Sequence, residues 1–127
     1  MEYLEHLPDQ CPPNDAKEAG YDLAFRIVFS DPVAKDDFLS RAAKGQTTPL
    51  GVSDCRNASC SLSTHLTKMR GQAKLPKFRK KGTPRIAYLR IAEGAGKALE
   101  NSNTNHIDFW AYKSFDPIAA IIKLEDV

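Results

Sequence analysis

The chain has 127 residues, 42% of them hydrophobic and 27% charged, with a formal net charge of +2. A chain of that length is expected to form one domain and to bury roughly two-thirds of its unfolded surface, so no metal or disulfide is needed to hold it together. The composition is that of an ordinary globular protein, and no apolar run approaches the ~18 residues of a membrane span, so neither a transmembrane helix nor a membrane partner is predicted.

Residues 1–20 predict an irregular N-terminal arm, and residues 21–127 a single α+β domain. Pro8, Pro12 and Pro13 are incompatible with a helix interior or a central strand, while Tyr3, Leu4 and Leu7 offer apolar tethers to the body. The stretch MEYLEHLPDQCPP carries acids where a signal peptide needs Lys or Arg and has no continuous apolar segment, so a cytoplasmic location is expected. Three cysteines, Cys11, Cys55 and Cys60, are an odd number, which favours reduced thiols over a disulfide framework. Cys55 and Cys60 with His65 supply fewer ligands than a zinc site requires, so neither a metal nor a cofactor is predicted.

Tyr21–Ser30 alternates with period two. Leu23, Phe25, Ile27 and Phe29 fall on one face and Asp22, Ala24, Arg26 and Val28 on the other, the pattern of a strand with one buried face. Asp31-Pro32 then reads as a helix start, with Asp31 as N-cap. Ala34, Phe38 and Ala42 form its stripe, and Gly45 its left-handed cap. After a loop over 46–60, Ser61–Arg70 reads as a short helix with Leu62, Leu66 and Met69 on one face. Residues 72–83 are extended and basic. Ile86–Ala92 and His106–Tyr112 are strand-like runs flanking a Gly- and Asn-rich loop, and Ala119–Leu124 is expected to close as an edge strand. This order is not the βαβα alternation of a doubly wound sheet. It predicts an α+β fold: a small mixed or antiparallel sheet of about four to five strands with two short helices packed on it.

Charge is segregated along the chain. Residues 1–54 hold ten acids and five bases, residues 55–92 hold ten bases and no acid, and residues 93–127 hold six acids and three bases. Such asymmetry bears on partners rather than on fold. Lys and Arg displace condensed counterions from phosphates, and the interleaved Phe78 and Tyr88 offer stacking faces for bases. The alternative for the same stretch is a solvated loop, or a contact for an acidic protein partner.

Glu93-Gly94-Ala95-Gly96-Lys97 superficially suggests a phosphate loop. It lacks the G-x-x-x-x-G-K-[ST] spacing, and Ala98 stands where the hydroxyl is needed, so a plain turn is expected. On His106–Tyr112, alternate residues share a face. His106, Asp108, Trp110 and Tyr112 therefore line up about 7 Å apart, opposite the apolar Ile107 and Phe109. An imidazole that shuttles a proton, a carboxylate that orients it and aromatics that stack make one wall of a nucleotide cleft. The alternative is a half-exposed face covered by a second layer. His65, on a short helix beside Leu66, reads as structural.

The stretch PKFRKKGTPRIAYLRIAEGAGKALENSNTNHIDFWAY is similar to a group of small bacterial proteins with a basic PKFR-like loop, a G-x-G turn and a His preceding paired aromatics. No activity attaches to that group, so the resemblance implies no mechanism. The order of elements also resembles ADP-ribosyltransferase-like folds, and that resemblance would place Arg26, His106 and Tyr112 in the site; fold likeness alone does not supply function.

The expected function is that of a small soluble binding domain engaging a phosphate-bearing partner, RNA or DNA, through Lys74, Lys77, Arg79, Lys80, Lys81 and Arg85. Two alternatives stay open. One is a small nucleotide- or nucleic-acid-processing enzyme with His106 as general acid/base, Asp108 or Tyr112 in support, and Arg85 or Arg90 stabilising negative charge. The other is a protein-interaction module.

Overall fold

The computed structural model describes residues 2–127. Seven strands form one sheet: β1 (Lys17–Glu18), β2 (Tyr21–Val28), β3 (Cys60–Ser63), β4 (Arg85–Ile91), β5 (Gly96–Asn101), β6 (His106–Ala111) and β7 (Ile121–Asp126). Their order is β1-β5-β6-β3-β2-β4-β7, and every neighbouring pair is antiparallel. Three short helices, α1 (Asp54–Asn57), α2 (Leu66–Ala73) and α3 (Pro76–Arg79), and a 3-10 turn at Lys35–Phe38 complete the α+β fold. Among the described residues no helix is long and apolar enough to cross a membrane.

The sheet is larger than the four to five strands expected. The difference lies in strands whose local pattern was overridden by pairing. Cys60–Ser63, where the loop over 46–60 and the start of the Ser61–Arg70 helix are expected, alternates apolar Cys60 and Leu62 with Ser61 and Ser63. Paired with β6 in the register Cys60↔Phe109, Leu62↔Ile107, it puts both apolar side chains in the core. The helix begins only at Leu66, where the His65 ring accepts the Lys68 backbone N–H as N-cap. Gly96–Asn101, read as loop, forms a hairpin with β6 that turns through Asn105 at φ 60°. The expected helix after Asp31 is only the 3-10 turn. Asp37, not Asp31, collects backbone donors, accepting from Phe29 at 3.0 Å, Ser30 at 3.2 Å and Ala34 at 3.0 Å. Those bonds tie the turn back to the end of β2 through the Asp37 carboxylate.

Both faces of the sheet are apolar at its centre. The main core packs Ala24, Val28, Leu62, Leu89, Ile107 and Phe109 under Phe38. The opposite face packs Phe25, Ile27 and Ile86 against Met69 and Ala73 of α2. From Ala24 onward β2 thus buries residues of both sequence faces, where its alternation predicts one buried face, while Asp22 and Leu23, within the register shift between Tyr21 and Ala24, are exposed. Gly94 makes the turn that leads into β5 with φ 92°, and Gly96 backs directly onto β6.

The N-terminal arm is stitched to the body. Tyr3 bridges Tyr112, the Leu4 N–H donates to the Ala111 carbonyl at 2.9 Å, and Glu5 accepts the Ser40 N–H at 3.0 Å. Cys11 and Cys55 form a disulfide with Cα atoms 5.5 Å apart. This corrects the expectation of three reduced thiols: the odd cysteine is Cys60, which is buried in the core. An odd count shows only that one thiol is left over. Which pair meets across 44 positions of sequence is a tertiary property.

Two stability outcomes follow from this packing. Replacing both Cys11 and Cys55 by Ser should lower the unfolding free energy by about 4 kcal/mol, the chain-entropy value for a sequence separation of 44. Urea denaturation of oxidised, reduced and doubly substituted protein will check it. In Gly96→Ala, the added methyl meets the Trp110 carbonyl and lies 2.8 Å from the Ala111 Cα, both backbone atoms that cannot swing away. A loss of roughly 1–3 kcal/mol is expected by the same measurement.

Candidate functional site

Helix α2 covers β2 and β4. On the same face, β3 and β6 present polar residues to a cleft of about 950 Å³. The register explains this. Ser61 pairs with Asp108 and Ser63 with His106, so four polar side chains share the face opposite Leu62 and Ile107. The cleft is walled by the segment after the 3-10 turn (Arg41, Lys44), by α2 (Lys68, Gln72) and by the β5–β6 turn (Thr104).

At its floor, one buried carboxylate holds two partners. Asp108 Oδ1 lies 3.0 Å from His106 Nε2, and Asp108 Oδ2 accepts Arg56 Nε at 3.1 Å. The Ser59 hydroxyl reaches both Asp108 Oδ1 at 3.1 Å and the Arg56 carbonyl at 2.7 Å. Burial alone would raise the Asp108 carboxyl. The hydrogen bond and charge of His106, the charge of Arg56 and the Ser59 contact outweigh it and hold the carboxyl below its ordinary range. Arg56 follows Cys55, whose carbonyl accepts the Trp110 indole N–H at 3.0 Å, so α1 is held on β6 both by a hydrogen bond and by the disulfide to the arm.

Arg26 forms one end of the cleft. β2 and β3 share a single registered pair, Phe25↔Ser63, and the guanidinium fills the gap where they part. It donates to the carbonyls of Asp37 at 2.7 Å, Ser61 at 2.8 Å and Leu39 at 3.4 Å. Lys44 sits nearby. Partial desolvation, then the positive charges of Arg26 and Lys81, hold its ammonium below the usual lysine range.

The residues singled out from sequence separate into groups. His106 and Asp108 face the cleft together. Trp110 is buried beneath α1, and Tyr112 lies outside the cleft, against Tyr3 and donating to Glu18. Burial and the Glu18 carboxylate push the Tyr112 hydroxyl up to about 12. Of the proposed phosphate contacts, Lys81 lines the cleft, its ammonium 5.6 Å from the Phe29 ring and 5.4 Å from the Phe78 ring. Lys74, Lys77 and Lys80 are exposed around α3, and Arg79 donates to the Lys74 carbonyl at 3.2 Å. Arg85 donates to the Ser30 carbonyl at 2.9 Å and pairs with Asp31 at 3.7 Å. β2 and β3 lie between β4 and β6, which separates Arg85 and Arg90 from His106. Arg70 is engaged as a fork on Glu125, both contacts at 2.8 Å, with the Tyr88 hydroxyl at 2.6 Å. Those partners pull the Glu125 carboxyl down to about 2. Of the set suggested by likeness to ADP-ribosyltransferases, Arg26 and His106 line the cleft and Tyr112 does not.

The sequence reading did not single out Arg41, Lys44, Arg56 or Ser59. Each reaches the cleft from a loop or a four-residue helix with no periodic signal; Arg56 and Ser59 meet His106 through Asp108, and Arg41 and Lys44 line the cleft from the segment after the 3-10 turn. Among the described residues no group of three or more His, Cys, Asp or Glu is placed to hold a metal ion. No family model, no curated protein and no solved structure matches the chain.

Asp37 is held below its ordinary range as well, its bonds from Ala34, Phe29 and Ser30 outweighing burial. For Asp37, Asp108 and Glu125 the sign is the same. Each carboxyl is lower in the folded than in the unfolded chain, so its stabilisation is whole above the unfolded value near pH 4 and is lost as pH falls through the folded value. The urea midpoint should stay level from about pH 7 to 5 and drop below about pH 4. Asp37→Asn, which loses the charge that collects three backbone donors, should cost about 1–3 kcal/mol at neutral pH and flatten part of the acid limb.

Proposed function

We propose that the chain binds single-stranded nucleic acid, RNA or DNA, with the phosphate backbone lying in the cleft and the exposed lysines around α3 extending its track. The observation that carries this reading is the charge of the lining: Arg26, Arg41, Lys44, Arg56, Lys68 and Lys81 against Glu100 and Asp108. Asp108 is occupied by His106 and Arg56, so the field in the cleft is positive. The Lys44 ammonium is disfavoured first by partial burial and then by the like charges of Arg26 and Lys81, and an anion in the cleft relieves that repulsion. Phe29 and Phe78, stacked at 6.1 Å with Lys81 over both, provide an aromatic edge for a base.

The expected phosphate contacts thus shift from Lys74, Lys77, Arg79, Lys80 and Arg85 as the centre of the site to its flank, with Lys81 common to both. A Cys11–Cys55 disulfide persists in oxidising surroundings and is rare where thiols are kept reduced, which weighs against the cytoplasmic location expected from the N-terminal sequence.

Fluorescence anisotropy with mixed-sequence RNA and DNA tests the reading. About four phosphate contacts on a single strand predict an affinity loss of roughly 50-fold between ~50 and ~200 mM salt. Lys44→Glu with Lys81→Glu should weaken binding at least about tenfold and flatten the salt slope. Salt-independent binding, or none at low salt, would remove nucleic acid from consideration and leave an acidic protein partner.

A further inference from the structure

The floor of the cleft is arranged for more than binding. We propose that His106 is a general base that cleaves RNA by intramolecular transesterification, with Arg56 stabilising the charge that develops on phosphorus. This inference rests on the nucleic-acid reading above and names its substrate class.

Three features of the geometry carry it. First, Asp108 is ionised and accepts from His106 Nε2–H at 3.0 Å, which selects the tautomer with its lone pair on Nδ1. His106 Nδ1 has no hydrogen-bond partner among the described residues, and the side chain lines the cleft with a third of its surface exposed. The imidazole is therefore oriented and open on the nitrogen that would take a proton. Second, the other oxygen of the same carboxyl holds Arg56 by Nε only. The two terminal nitrogens of that guanidinium remain for a phosphoryl group, and sharing one carboxyl keeps them beside the imidazole. Third, the cleft supplies one base and a cationic lining, a set suited to a substrate that carries its own nucleophile. A ribose 2′-hydroxyl next to the scissile phosphate meets that requirement, since an intramolecular nucleophile needs only orientation and deprotonation.

The step balances without an added reactant other than water. His106 Nδ1 takes the proton of the 2′-hydroxyl. The 2′-oxygen bonds to phosphorus as the bond from phosphorus to the 5′-oxygen breaks. The 5′-oxygen leaves as an alcohol with a proton from cleft water, and the resulting hydroxide accepts the proton held by His106. The products are a 2′,3′-cyclic phosphate end and a 5′-hydroxyl end. Asp108 touches neither substrate nor reacting atom and is a positioning residue.

The test uses the full oxidised chain with a randomised-sequence single-stranded RNA pool, total RNA, and an all-deoxy pool of the same design. Binding is read by anisotropy and single-turnover cleavage by end-group analysis. The expected result is cleavage of RNA to cyclic-phosphate ends, with the deoxy pool bound within about threefold but uncut. His106→Ala should lower the cleavage rate roughly 10²- to 10⁴-fold with binding nearly unchanged, and added imidazole should restore at least about tenfold, which mere misfolding would not allow. Asp108→Asn should lower the rate at saturating RNA without weakening binding and displace the pH–rate profile. If the RNA is bound but not cut, if the deoxy pool is cut equally, or if His106→Ala cuts as fast as the native chain, the catalytic assignment is overturned while the binding reading stands. If neither pool binds at low salt, both fall.

Discussion

β2 and β3 part company after one registered pair, and the fold closes over that divergence with a single guanidinium. Arg26 donates to three carbonyls, those of Asp37 and Leu39 at the end of the 3-10 turn and that of Ser61 on β3, and so ties two segments distant in sequence to β2. The planar, permanently charged fork of Arg suits such a gap, because it brings donors and no acceptor of its own. An apolar residue there would leave the carbonyls without a protein partner, at about 1–3 kcal/mol for each one buried. The ring of Phe38, 5.9 Å from the guanidinium carbon, covers the charge from the core side. Because β3 bridges β2 to β6, what holds β3 in place also holds the polar face of β6.

That polar face is built on the alternation that buries Ile107 and Phe109. A carboxylate whose neighbours in sequence are buried apolar residues is costly unless it is fully paired. Asp108 meets the condition through His106, Arg56 and Ser59. The result is a charged cluster that is stable yet leaves unused nitrogens on two of its members. The N-terminal arm contributes indirectly. By bonding Cys11 to Cys55 it anchors α1, a four-residue helix too short to hold its own place, and the next residue along is Arg56.

The element that was most legible from sequence was β6. Its alternation placed His106 and Asp108 on one face and Ile107 and Phe109 on the other, because side-chain direction along a strand is a local property of the backbone. Trp110 obeyed the same alternation but is covered by α1, and Tyr112 lies beyond the end of the strand. Local periodicity says which way a residue points, not what lies above it. The edge strand near Ile121, the α+β class and the existence of β2 were legible for the same reason, although β2 buries residues of both faces where its alternation predicts one. β3 and β5 were not. The four-residue alternation Cys60–Ser63 is too short to outweigh the helical spacing of Leu62, Leu66 and Met69, and Gly96–Asn101 mixes Gly, Lys, Glu and Asn with Ala98 and Leu99; both become strands where β6 offers ladder partners on its two sides.

Charge shows the same division. The acid-free stretch 55–92 is a fact of sequence, and it points to Lys74, Lys77, Arg79, Lys80, Lys81 and Arg85 as phosphate contacts. Folding spreads it over α1, α2, α3 and β4, turns Arg70 toward Glu125 and Arg85 toward Ser30, and delivers Arg56, Lys68 and Lys81 to a cleft that also takes Arg26, Arg41 and Lys44 from the acidic first part of the chain. The sequence by itself determined the local facts: the period-two faces of β2 and β6, the turns at Gly45 and Gly94, and the bases available for an anion. Strand order, the Cys11–Cys55 bond and the meeting of His106 with Arg56 were decided by tertiary structure alone, because each depends on packing and pairing between residues tens of positions apart, where spacing along the chain carries no geometric information.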